Sequence, residues 1–111
     1  MKKLIVDRNE IFTNIVMFMN YNNDVYSSIA KGILLEILKK RMMRGEVVRF
    51  LYSKMNGEIR HAVGSLQKQA VEANINGSGI PKRFVGMFTY LDMEKMAWRG
   101  FKTENFIGII D

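Results

Sequence analysis

The chain has 111 residues, of which 48% are apolar and 25% are charged, and its formal net charge is +6 at neutral pH. This length and composition predict one small domain with a buried core and argue against an intrinsically disordered chain. The sequence contains no cysteine, which excludes disulfides, cysteine nucleophiles and cysteine-bound zinc.

The first residues, Met1–Val6, briefly resemble a signal peptide, but Asp7, Arg8 and Glu10 follow before an apolar segment can form. The longest uninterrupted apolar run is Ile15–Met19, which is far too short to span a membrane. We therefore expect a soluble, cytoplasmic protein that has no membrane partner.

Residues 9–44 show the apolar spacing of helices. In residues 9–19 this spacing predicts a first helix, although the β-branched and aromatic side chains there also suit a strand. Asp24 is a plausible N-cap for a second helix, and Gly45 is a plausible stop. The second helix should bury one apolar stripe, with Glu36 and Lys40 paired on the opposite side. The stripe comprises Ile29, Ile33, Leu34, Ile37, Leu38 and Met42.

Most of the excess positive charge lies near the end of this second helix. The candidate phosphate-binding residues there are Lys39, Lys40, Arg41 and Arg44. A simpler interpretation is a solvated helix C-terminus, where cations complement the helix dipole. The sequence alone leaves both interpretations open.

Residues 46–66 predict a β-hairpin that turns at Asn56-Gly57, because this dipeptide supplies the positive φ values of a tight turn. If the loop has two residues, Tyr52 pairs with His61 and Phe50 with Val63. The same register places five apolar side chains on one core face and sends Arg49, Ser53 and Arg60 to the other. The five are Val48, Phe50, Tyr52, Ile59 and Val63.

The rest of the chain predicts an irregular segment followed by three strands. Residues 67–73 suit one or two helical turns, and residues 76–81 read as a loop. Strands are predicted over 84–91, 97–102 and 106–110, with a turn at Asp92–Lys95 and one turn of 3₁₀ helix at Thr103–Asn105. Gly100 is a candidate for a bulge or a close backbone approach.

Three segments carry a resemblance to a known family: 50–60, 90–95 and 97–107, the last with Trp98-Arg99-Gly100-Phe101 behind the charged turn. Over about residues 46–110 the chain resembles the WYL-like family of small bacterial and phage proteins. The resemblance implies an Sm-like, SH3-type β-barrel and no established activity. Because the chain has no contiguous Trp-Tyr-Leu, the ligand-sensing roles of true WYL regulators are not implied.

Together these patterns predict an α+β fold, a small five-stranded SH3/Sm-like antiparallel β-barrel preceded by one or two N-terminal helices. Residues 1–45 should form a helical segment packed on the barrel, and residues 46–111 the barrel itself. The apolar first helix also suggests a homodimer or a larger homo-oligomer.

The sequence favours binding over catalysis. His61 is the single histidine, and Asp92 and Glu94 lie in a probable turn, so we expect no catalytic residues, no metal site and no cofactor. One hypothesis is a nucleic-acid-associated accessory or regulatory protein of a phage or mobile element. Its candidate residues for single-stranded nucleic acid are Lys39, Lys40, Arg41, Arg44 and Arg99. The alternative is a protein-interaction or assembly module that docks through the N-terminal helices.

Overall fold

The computed structural model describes residues 7–21, 23–66 and 86–110. They form two helices followed by a five-stranded antiparallel sheet, so the predicted α+β fold is confirmed. The helices are α1 (Arg8–Asn20) and α2 (Val25–Met43). The strands are β1 (Val48–Ser53), β2 (Ile59–Ser65), β3 (Phe88–Asp92), β4 (Ala97–Phe101) and β5 (Phe106–Ile109). The predictions for residues 67–83 lie outside the described residues.

Helix α1 settles the helix-or-strand alternative for residues 9–19. It begins at Asp7, whose carboxylate accepts hydrogen bonds from the backbone N–H groups of Asn9 and Glu10. Phe18 is buried, whereas Phe12 is 69% exposed. The apolar residues of α1 are therefore divided between an inner and an outer face.

Helix α2 begins and ends where the sequence predicts. Asp24 caps its first turn by accepting a hydrogen bond of 2.8 Å from the Ser27 N–H. At the other end, the N–H of Gly45 donates to the carbonyl of Met42 and that of Glu46 to the carbonyl of Arg41. This pair of bonds is the Schellman pattern that ends a helix. Neither helix in the described part of the chain is long and apolar enough to cross a membrane.

The buried stripe of α2 agrees with the predicted one at Leu38 and Met42 and differs from it in the first half of the helix. Leu35, Leu38 and Met42 are buried, whereas Ile29 and Ile33 are 39% and 38% exposed. The difference arises because α2 has two packing partners. The sheet covers the first set, while α1 approaches α2 at Gly32, where an added Cβ would lie only 2.7 Å from Ile15.

Glu36 also departs from its predicted solvent-facing position. It pairs loosely with Lys40, at 3.8 Å, but only 1% of its side chain is exposed. Gly32 lies one turn earlier on the same side of α2, so the close approach of α1 accounts for this burial.

The strands follow the order β4-β3-β2-β1-β5, with every neighbouring pair antiparallel. A 3₁₀ turn at Thr103–Asn105 connects β4 to β5, as predicted. The pairing of β4 with β3 runs without a register shift, so the predicted bulge at Gly100 is absent from the described ladder. An irregularity lies instead between Leu51 and Tyr52, where β1 pairs with β5.

The β1–β2 hairpin turns at Asn56-Gly57, but its register is shifted by one residue from the two-residue-loop prediction. The Gly57 N–H donates to the Lys54 carbonyl, and Lys54 pairs with Glu58, which leaves three residues in the loop. Only Gly57 has a positive φ, of 88°, as in a hairpin with a G1 bulge. Tyr52 consequently lies opposite Arg60 instead of His61.

This shift exchanges the two faces of β2. Ala62 lies opposite Phe50, in the core position that was predicted for Val63. Gly64 lies opposite Val48 on the same face. Ile59 is instead 57% exposed. Arg60 was predicted to lie on the opposite face from Tyr52. It lies directly opposite Tyr52 in the hairpin, and because directly opposed residues share one side of a sheet, the two side chains lie on the same face.

The core lies between α2 and one face of the sheet and is strongly aromatic. The rings of Tyr52 and Phe101 stack with centroids 4.3 Å apart, and Phe50 meets Tyr90 edge-on at 5.0 Å. Leu35, Leu38 and Met42 of α2 belong to the same buried cluster as these rings. Helix and sheet therefore share a single core.

Candidate functional site

A groove opens at one end of this aromatic face, between the β1–β2 turn, strand β4 and the 3₁₀ turn. Its volume is about 490 Å³. The described residues that line it include four cations and no carboxylate. The cations are Lys54, Arg60, Arg99 and Lys102. A concave surface with one sign of charge concentrates the electrostatic field and attracts ligands of the opposite charge.

Two of the four cations have carboxylate partners. Lys54 pairs with Glu58 at 3.2 Å, and Arg99 pairs with Asp92 at 2.5 Å. Within the described ranges, Arg60 and Lys102 form no ion pair. The groove thus retains positive charge that the described protein does not neutralise.

The Asp92 carboxylate fixes the position of Arg99. One oxygen accepts hydrogen bonds from the backbone N–H groups of Glu94 and Lys95, at 2.9 and 3.1 Å, and the other accepts from Arg99 Nε. Burial alone would raise the pKa of Asp92, but these three hydrogen bonds hold it below its usual value. The same bond to Asp92 raises the pKa of Arg99, so both groups are charged at neutral pH.

The floor of the groove is aromatic. Tyr52, Phe101 and Trp98 line it, and their exposed fractions are 4%, 2% and 9%. The hydroxyl of Tyr52 lies 2.8 Å from that of Tyr90, and burial together with this hydrogen bond raises the pKa of Tyr90. The aromatic side chains that line the groove are therefore buried and uncharged.

Trp98 is buried, and Arg99 at the neighbouring position pairs with Asp92. Trp98 lies on the opposite face of β4 from Phe101, because the strand is regular between them. Its indole Nε1 is buried and finds no hydrogen-bond acceptor in the described part of the chain.

Of the five residues that the sequence proposed for nucleic acid, only Arg99 lines this groove. Arg41 and Arg44 pair with Glu46, and Lys40 lies 3.8 Å from Glu36. Lys39 lines a second cavity instead. The four helix-end residues therefore lie at the C-terminus of α2, and three of them have carboxylate partners.

Sequence reasoning missed Lys54, Arg60 and Lys102. Lys54 and Arg60 flank the Asn56-Gly57 turn at nearly equal distances, which is a signal that a basic ligand site lies at a hairpin end. The predicted two-residue loop placed Arg60 on the opposite face of the hairpin from Tyr52. In the observed register, Arg60 lies on the same face as Tyr52. Lys102 follows Arg99 by three positions and lies at the end of β4.

The second cavity has a volume of about 360 Å³ and a different chemistry. Its lining contains the carboxylates of Glu10 and Glu36 beside Lys39. Neither oxygen of Glu36 has a hydrogen-bond partner among the described residues. Burial raises the pKa of Glu36, and the nearby charges of Lys39 and Lys40 only partly offset this rise. Carboxylates at this position disfavour phosphate, so the second cavity is the weaker candidate for a nucleic-acid site.

The two helices, the antiparallel sheet and the basic groove at its end define a small binding-type domain of the Sm-like class. The chain belongs to the WYL_2 family, described as having an Sm-like SH3 beta-barrel fold, whose model matches residues 35–107. The expected family is thus confirmed, but the match begins inside α2, earlier than the predicted start at residue 46. No curated protein and no solved structure matches the chain. The described residues hold no cluster of side chains suited to a metal ion.

Proposed function

We propose that this protein binds single-stranded nucleic acid in the basic groove and turns nothing over. The observation that supports this proposal is the charge of the groove, which combines Lys54, Arg60, Arg99 and Lys102 with no lining carboxylate among the described residues. Lysine and arginine bind the phosphates that every nucleic acid carries. In this proposal the protein is an accessory or regulatory factor, of the kind that a phage or mobile element encodes.

The shape of the groove favours a single strand over a duplex. Single strands bind through a basic groove that follows the backbone, together with surfaces on which bases can pack. Met55, which is 75% exposed, and Asn56 line the groove from the β1–β2 turn, and Asn105 lines it from the 3₁₀ turn. An exposed methionine and two amides provide apolar contact and hydrogen bonds to bases without strict sequence selection.

Binding of an internally labelled single-stranded oligonucleotide, measured by fluorescence anisotropy at two salt concentrations, tests this proposal. Each phosphate contact contributes about 0.7 to the slope of log affinity against log salt. A single phosphate held in the groove therefore predicts a slope of about −0.7, and four phosphates would be needed to reach about −3. A slope near zero, or no binding at low salt, would rule the proposal out.

A second candidate function is protein docking through the N-terminal helices. It is favoured by the outer face of α1, where Phe12, Val16 and Met19 follow one another at helical spacing and are 69%, 42% and 44% exposed. A second copy of the chain is the simplest partner for such a face. Light scattering would then give twice the chain mass of 12.9 kDa, and Phe12→Glu would restore a single chain. An unaltered protein that remains monomeric at high concentration would remove this candidate.

A further inference from the structure

The groove has an excess positive charge of two among its described residues. Glu58 and Asp92 neutralise Lys54 and Arg99, and the remaining cations are Arg60 and Lys102. A phosphodiester inside a strand carries one negative charge, whereas a phosphate monoester carries about 1.5 to 2 at neutral pH. The charge of the groove therefore matches a monoester more closely than a single internal linkage.

Arg99 is oriented as a phosphate-binding fork. Its Nε donates to Asp92, and in the described structure this is its only hydrogen bond to a carboxylate. The two terminal nitrogens of the guanidinium lie on the remaining edge of the plane, on a side chain that lines the groove. A guanidinium held in this way can donate two parallel hydrogen bonds to phosphate oxygens, and little conformational entropy is lost when they form.

Asp92 is the positioning residue in this arrangement. It is 7% exposed, and its other oxygen is held by two backbone N–H groups of the β3–β4 turn. The carboxylate therefore cannot rotate away from Arg99 without losing both of these bonds. The turn, Asp92 and Arg99 form one rigid unit at the wall of the groove.

The size of the groove also favours a chain end. At about 490 Å³ it falls within the roughly 300–1,000 Å³ of small-ligand sites. A site of this size encloses about one nucleotide and offers no long track to a continuous strand. Its polar rim, with Asn56 and Asn105, leaves space for the next nucleotide to depart toward solvent.

We propose that the groove binds the terminal phosphate monoester of a single-stranded nucleic acid, with Arg99, Arg60 and Lys102 as its ligands. This inference rests on the proposed function and specifies which part of the strand enters the groove. The phosphate accepts two hydrogen bonds from the Arg99 fork. Arg60 approaches from β2, whereas Arg99 lies in β4 and Lys102 directly follows it, so the three cations reach the anion from two strands.

The test compares three oligonucleotides of one sequence with an internal fluorophore. One carries a 5′-phosphate, one a 3′-phosphate and one hydroxyl groups at both ends. We expect one phosphorylated end to increase affinity by about tenfold or more over the hydroxyl form, as for a charge-assisted hydrogen-bonded contact. The variants Arg60→Gln and Lys102→Gln should abolish this preference. Arg49→Gln, which changes an exposed arginine outside the lining of the groove, should retain it.

Asp92→Asn provides a second readout. Asparagine has a single acceptor oxygen, so it can accept from the two turn N–H groups or from Arg99 but not from both. The fork should therefore be held less firmly, and the preference for a phosphorylated end should fall. Equal affinity of all three oligonucleotides would overturn this inference and leave the proposed function standing. Failure of all three to bind would overturn both.

Discussion

At the scale of single residues, Glu36 is the least expected feature of the chain. A spacing of four from Lys40 is typical of an exposed helix pair, yet the carboxylate is buried and neither oxygen accepts a hydrogen bond from the described residues. A buried carboxylate without hydrogen bonds costs free energy when it ionises. No local pattern predicts this burial, because it depends on where α1 packs against α2.

We expect Glu36→Gln to stabilise the protein at neutral pH. The folded-state pKa of Glu36 is raised above its ordinary value of 4.5, so the folded state holds a proton that the unfolded state releases. The contribution of Glu36 to the free energy of unfolding should therefore be most favourable below about pH 4.5. It should become less favourable as the pH rises through the folded-state pKa of Glu36. Asp92 has the opposite dependence, because its lowered pKa contributes stability that is lost on acidification.

Thermal unfolding of both proteins from about pH 4 to about pH 8, a range that begins below the ordinary pKa of Glu36, measures this effect. The melting temperature of the unaltered protein should decline relative to that of Glu36→Gln across this range, and the gap should be largest at the highest pH. If the two curves run parallel, Glu36 has the same pKa in both states and the account of its burial is wrong.

At the scale of elements, the helix ends and turns could be predicted from neighbouring residues. The hairpin register and the face that Arg60 occupies depend on packing between distant parts of the chain. The Asp24 cap, the Gly45 stop and the Asp92 turn each depend on hydrogen bonds between residues no more than five apart, so the sequence was sufficient for them. The hairpin register was not predicted, because Asn-Gly suits both a two-residue loop and a three-residue loop with a bulge. That single-residue difference also placed Arg60 wrongly.

The groove could be predicted only in part for the same reason. Arg99 was identified from its position between Trp98 and Phe101, which is local information. Its convergence with Arg60 and Lys102 depends on the hairpin register and on the approach of the β1–β2 turn to the end of β4, which are properties of the assembled sheet.

The hairpin turn makes a prediction of its own. Gly57 has a φ of 88°, where a β-branched residue is sterically penalised, although a Cβ there would meet no atom within 4 Å. Gly57→Val should therefore lower the free energy of unfolding by about 1–3 kcal/mol through the backbone alone. Gly108→Val is the matched control, since a Cβ at Gly108 is equally unobstructed and its φ is not in the left-handed region.

Chemical denaturation of the two variants separates these effects. The Gly57 variant should unfold at a lower denaturant concentration, while the Gly108 variant should stay close to the unaltered protein. Equal stability of the Gly57 variant and the unaltered protein would contradict the positive φ at the turn.

At the scale of the whole molecule, the basic groove and the outer face of α1 belong to different elements of the fold. The uncompensated cations Arg60 and Lys102 lie in the groove at one end of the sheet, and the exposed apolar side chains Phe12 and Val16 lie on α1. Because α2 contributes to the same core as the strands, the helices and the sheet should respond as one unit to unfolding. The two surfaces therefore provide separate places for a nucleic acid and for a protein partner.

The central claim is that the groove, and not the end of α2, binds single-stranded nucleic acid. It is tested most directly by two double variants that remove equal charge, Arg60→Gln with Lys102→Gln in the groove and Lys39→Gln with Lys40→Gln on the helix. Single-strand affinity should fall about tenfold or more in the groove variant, and its salt slope should become shallower because two phosphate-binding cations are lost. The helix variant should remain within about threefold of the unaltered protein, because distant surface charges are largely screened by salt. A larger loss in the helix variant than in the groove variant would contradict the account.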